Sequence, residues 1–173
     1  TLPDFFHPVA PRPEMACDVL MLGRAHADRV EPVRALLERF DTHLYGEGWE
    51  PHGLPSRGTL YGDDVLAALN SARLTAIFAR TAAGHLLVKV GLFDFLAAGA
   101  LVVTERFPEA ERYLEFEREV IGFTSTAELL EKIAHALAHP EQAAAIRRAG
   151  RARVLRDHTW PAVWPRVLRQ VCA

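Results

Sequence analysis

Residues 89–105 read K-V-G-L-F-D-F-L-A-A-G-A-L-V-V-T-E, and this stretch decides the fold. It predicts a short helix from about Lys89, a glycine stop at Gly99, and a strand over Leu101, Val102, Val103 and Thr104. Apolar residues on nearly every side of the helix mean that it packs on more than one face. The run L-V-V-T, β-branched and followed by charge, suits a parallel strand buried on both faces. One carboxylate, Asp94, stands in the helix. An acid in such a place costs free energy unless it lies at an exposed edge or meets a partner.

Upstream, residues 18–22 (D-V-L-M-L) predict a buried strand, and Gly23 ends it. Val33, Leu36, Leu37 and Phe40 then recur at helical spacing. Strand, glycine-led loop and helix make half of a βαβ unit, whose helix start can receive an anion. Arg24 and Arg29 flank that loop. Further strands are expected over residues 42–45, 59–61, 74–78 and 119–123, with helices over 63–72 and 108–114. Ser125-Thr126-Ala127-Glu128 is a capping box opening another helix. Pro140 starts the next, with Ala143, Ile146, Gly150 and Val154 inward and Arg147, Arg148, Arg151 and Arg156 outward. Thr159 and Trp160 begin a last helix carrying Trp164, Val167, Leu168 and Val171. Strands alternating with helices in this way predict an α/β sandwich with a mostly parallel sheet.

The segment F-D-F-L-A-A-G-A-L-V-V resembles the F-E-A-x-A-x-G-x-x-V-V signature of glycosyltransferases with the GT-B fold, in particular the retaining sugar-nucleotide transferases and their spore-maturation-protein-like relatives. The resemblance runs from a proline-containing hinge, L-P-D-F-F-H-P-V, to the closing helix. It implies the donor-binding, C-terminal Rossmann-like half of such an enzyme. Its parts are a hinge or leader over residues 1–16, a nucleotide-sugar-binding domain over 17–158, and a helix over 159–173 returning toward an N-terminal domain. The resemblance places Asp94 on the donor ribose, with Asp for the usual Glu, through charge-assisted hydrogen bonds. G-R-A-H-A-D-R resembles the family's G-R-x-x-x-x-K loop, which assigns Gly23, Arg24 and Arg29 to the donor diphosphate. Lys89 and Val90 open the helix that would receive it, and Asp94 lies about 7–8 Å further along the axis. Two positions depart from the pattern. The family's first acid is Leu86 here, which accepts no hydrogen bond, and its helix-start glycine is Lys89.

Read without the resemblance, Arg24 and Arg29 are solvated cations, Asp94 is an edge acid pairing locally, and residues 1–16 are a frayed leader. His135 and His139 have zinc-compatible spacing but lack a third ligand nearby. Length fits one domain with a proper core. The net charge of −2 gives no electrostatic case for nucleic-acid binding. Cys17 and Cys172 show no framework or metal spacing. A reduced, cytoplasmic chain is the plain expectation, with a staple between the termini as the alternative. The chain starts with Thr, which suggests a piece of something longer. The expected function is therefore binding of a nucleoside-diphosphate sugar for transfer to an unknown acceptor. No cofactor or obligatory metal is expected, catalytic residues are unassigned, and peripheral membrane association through the basic helix is open. The alternatives are a degenerate, non-catalytic binding or assembly module, supported by Leu86, and a sugar-nucleotide epimerase.

Overall fold

A computed structural model describes residues 1–171. Five strands form one parallel sheet: β1 (Cys17–Leu22), β2 (Thr42–Tyr45), β3 (Ala72–Ile77), β4 (Val102–Glu105) and β5 (Ile121–Phe123). Their spatial order is β2-β1-β3-β4-β5, so the direction of winding reverses between β1 and β3. In an open α/β sheet the crevice beyond the strand carboxyl ends at such a reversal is where ligands bind. The helices are α1 (Ala27–Arg39), α2 (Asp63–Ser71), α3 (Val90–Ala97), α4 (Pro108–Glu111), α5 (Thr126–Ala138), α6 (Pro140–Asp157) and α7 (Trp160–Val171). The α/β sandwich expected from the sequence is present, with the sheet wholly parallel.

The strands are buried on both faces because their side chains alternate between two cores. Leu20, Val102 and Leu96 meet Leu69 and Val154 on one side. Val19, Met21 and Val103 meet Val33, Leu36, Leu129 and Ile133 on the other. α3 ends where expected: Ala98 caps it and Gly99 takes φ +86, a conformation costly for a residue with a Cβ. α6 lies so close to the loop before β5 that a Cβ at residue 150 would sit 2.1 Å from the Glu119 carbonyl oxygen. This is why the helix carries glycine there.

Residues 59–61 do not form the expected strand. Their neighbours reach β2 through two backbone bonds, Arg57 N–H to Leu44 O (2.8 Å) and Gly46 N–H to Gly58 O (2.7 Å), and Gly58 at φ +90 then turns the chain away. The leader is packed. Phe6, Val9 and Met15 lie against the core, the N-terminal ammonium donates to His158 O (3.1 Å), and Arg12 pairs with Asp64 (2.6 Å). Ser125 caps α5 by accepting from the Glu128 N–H (3.2 Å), while the Glu128 carboxylate accepts from the Thr124 N–H (2.8 Å). The expected apolar stripe on α7 is exposed, with Trp164 at 50% and Val171 at 77%. Cys172, and with it the terminal staple, lies outside the described residues.

Candidate functional site

The site is built from three loops at the carboxyl ends of β1, β2 and β3. Gly23 follows β1, and Gly46 follows β2. A Cβ at residue 46 would lie 2.0 Å from the Gly23 carbonyl oxygen, so only glycine lets these two backbones touch. Ala25 N–H donates to Glu47 O (2.9 Å) and the indole of Trp49 donates to Gly23 O (2.9 Å), fixing the two loops together. Trp49 is fully buried, which makes this junction rigid. Beside it opens a cavity of about 430 Å³, lined among others by Gly23, Arg24, Tyr45, Gly46, Leu60 and Phe95. Its walls are mostly apolar with a few polar groups, the composition of a small-molecule site.

Arg24 stands on the rim, three-quarters exposed, 3.4 Å from Glu47. Arg29 is different. It is only 6% exposed, and its guanidinium donates to the carbonyls of Arg24 (3.1 Å), Phe78 (3.4 Å) and Arg80 (2.8 Å), leaving Nε–H without a partner. Burial holds its pKa below the ordinary value, with Asp28 and Glu105 acting against that. No carboxylate pairs with it within contact distance among the described residues. Arg29 thus ties the β1 loop to the β3 loop and keeps a positive charge with no contacting carboxylate beneath both.

Lys89 caps the N-terminus of α3 with extended backbone, and Val90 is the helix's first residue, 69% exposed. The first turn of any helix leaves amides without intrahelical acceptors. Burial lowers the pKa of Lys89, and Arg29 lowers it further, against Glu105 and Asp28. Asp94 lies half-buried one turn on, beside Phe95 of the cavity wall, and its carboxylate has no hydrogen bond or ion pair among the described residues. Leu86 is half-buried against the core and bridges Arg80 through its backbone, so it offers the site nothing polar.

Sequence reasoning missed Glu105. It ends β4, and its carboxylate accepts the backbone N–H groups of Ala79 and Arg80, the latter at 3.1 Å. Arg80 Nε lies 3.8 Å from it. Glu105 thereby holds the loop that leads to α3. A charge placed directly after a buried strand, at the ligand-facing end of the sheet, was the available signal.

Residues 24–169 match the profile of the family described as glycosyl transferase-like, and the chain belongs to that family. No curated protein matches it in sequence. Among solved structures it resembles HepE (Alr3699) of Anabaena bound to UDP and glucose, with a TM-score of 0.75 at 10% identity, over 99% of this chain and 55% of that one. It also resembles sucrose-phosphate synthase of Thermosynechococcus elongatus, with a TM-score of 0.72 at 16% identity, over 99% of this chain and 51% of that one. The C-terminal domain of a group 1 glycosyl transferase (LpcC) of Francisella tularensis matches at 0.66 and 11% identity, over 92% of this chain and 99% of that domain. The chain thus spans about half the length of the two larger enzymes. Its fold is the Rossmann-like half of a GT-B glycosyltransferase. Among the described residues no helix is long and apolar enough to cross a membrane, and no cluster of three His, Cys, Asp or Glu could hold a metal.

Proposed function

We propose that this domain binds the nucleoside-diphosphate-sugar donor of a glycosyltransferase. The observation that carries the reading is Arg29, buried beneath the β1 and β3 loops and bonded there only to carbonyls, with Lys89 at the N-terminus of α3 and no carboxylate in contact with either among the described residues. A diphosphate is the ligand that such a charge, joined to free helix amides, recognises. In this reading the adjoining cavity of about 430 Å³ takes the nucleoside, and Asp94 accepts from the ribose hydroxyls. HepE of the same fold has been seen with UDP and with UDP-glucose, which supports a uridine donor as the first to try.

In transfer, negative charge builds on the departing diphosphate. Arg24 at the rim, Lys89 and the α3 amides stabilise that charge, and Arg29 supplies a fixed field from below. The reading needs no metal for this step. The acceptor and the residues that contact it belong to a second Rossmann-like domain, against which the exposed face of α7 packs. A second reading is a module that keeps the fold and has lost transfer, and Leu86 in place of an acid favours it.

Calorimetric titration with UDP, GDP, ADP and dTDP tests the proposal. One of the four is expected to bind, with affinity falling in both Asp94→Asn and Arg24→Ala. Binding of none to the folded chain would contradict it.

A further inference from the structure

β5 is the outer strand on the side away from β2. An outer strand presents unpaired N–H and C=O groups that a second strand can join. In a parallel pair alternate residues turn both groups to the same side. Phe123 faces β4, since its carbonyl accepts from Arg106 N–H (2.7 Å), so Val120, Gly122 and Thr124 face outward. Those outward groups are not open. Val120 O accepts from the Glu117 N–H (2.8 Å), and Gly122 N–H donates to Glu117 Oε1 (3.3 Å). Gly122 O accepts from Lys132 Nζ (2.6 Å), and Thr124 N–H donates to Glu128 Oε2 (2.8 Å).

The three side chains are themselves joined. Lys132 Nζ lies 2.6 Å from Glu117 Oε1 and 2.9 Å from Glu128 Oε1. The ammonium donates to Glu117 and to the Gly122 carbonyl and pairs with Glu128, a grouping of oxygens about one point charge that suits lysine better than a planar guanidinium. The sequence otherwise uses arginine: of its 20 basic residues only Lys89 and Lys132 are lysine. Glu117 also holds φ 66, the one non-glycine residue at positive φ among those described. A residue is kept in that conformation only when its surroundings over-determine it.

We propose that Glu117, Lys132 and Glu128 form a guard that keeps β5 from pairing with the β5 of a second copy of this chain. The guard imitates a neighbouring strand: after the Glu117 N–H, its side chains supply acceptor, donor and acceptor along the edge in the order that backbone would. A two-fold pairing of β5 with itself is the closed arrangement that its removal opens.

The test uses Glu117→Gly, alone and with Lys132→Met. Glycine adopts φ 66 without strain, so the carboxylate is removed while the backbone is eased. Molar mass by light scattering and amide exchange at Gly122 and Thr124 are followed from micromolar to near-millimolar concentration. In the parent, exchange at these two amides is slow and independent of concentration. In the double variant exchange at Gly122 is expected to be about tenfold faster when dilute and to slow again as the mass rises toward twice the monomer, while Thr124 keeps its Glu128 acceptor. Exchange at these amides separates pairing through β5 from association elsewhere. A folded double variant whose exchange at Gly122 does not respond to concentration would overturn the proposal. If the double variant does not fold, Glu117→Gly alone is read in the same way. Unfolding of Glu117→Gly would also overturn it, since the contact would then hold the fold and guard nothing.

Discussion

Arg29 and Asp94 show how differently two residues of the proposed site are built. Arg29 is buried and bonded to three carbonyls, so Arg29→Ala leaves acceptors unpaired in the interior. It should lower stability by about 2–3 kcal/mol, read by chemical denaturation. Asp94 has no partner to lose, so Asp94→Asn should leave the melting temperature within a degree or two of the parent (from a surface-change effect of about ±0.5 kcal/mol). The same change should weaken nucleotide binding about tenfold to hundredfold, as expected for a lost charge-assisted pair of bonds. The sequence showed Arg29 only as a cation at a motif position. Its burial depends on residues 78 and 80, far along the chain, which no local pattern encodes.

At the scale of elements, the β1 and β2 loops act as one unit through Gly23, Gly46 and Trp49. Gly46→Ala puts a methyl 2.0 Å from a carbonyl oxygen, so the loops must part. A loss of about 2–4 kcal/mol is expected, with weaker nucleotide binding, measured by thermal unfolding and calorimetry on the same sample. Glu105→Ala should act on the neighbouring loop: the N–H groups of Ala79 and Arg80 lose their acceptor, and α3 loses its fixed approach. Nucleotide affinity should fall while the core stays intact, and unchanged affinity would remove Glu105 from the site. Periodicity and punctuation gave nearly all of these elements, because buried strands and capped helices carry local signals. The 59–61 segment escaped them: residues 57 and 58 lie against β2, but Gly58 diverts the backbone before 59–61 can extend a ladder. The touching of Gly23 and Gly46 escaped too, because a G-x-G sequence does not say what its glycines approach.

For the whole molecule, acid should act in two stages. Burial keeps the ring pKa values of His43 and His158 below the ordinary 6.5; Arg57 adds to this for His43, and a bond to the Tyr113 carbonyl opposes it for His158. The unfolded chain therefore takes up these protons first. Their contribution is complete above about pH 6.5 and is lost as the pH falls through the lower folded values. Glu128 is held at about 2, against an ordinary 4.5, by bonds from Lys132 and then Thr124. Its contribution is complete above pH 4.5 and is lost between there and about 2. Melting temperature against pH should show both declines, and His43→Phe should shrink the first. The parallel sandwich was legible from the order of strands and helices, and the proposed donor site takes its positions from the motif-bearing helix and from the loop after β1. The guard on β5 was not, since it joins residues 117, 122, 128 and 132 through backbone atoms that have no sequence signature.

In the proposed function a nucleoside diphosphate sits where the β1 and β2 loops meet the start of α3. Amide chemical-shift mapping during titration with UDP, and with the other three nucleotides in turn, tests it most directly. Shifts at Gly23, Arg24, Gly46, Val90 and Gly91 are expected to saturate together. Saturating shifts confined to other surfaces, such as the α5–α6 groove, would contradict it.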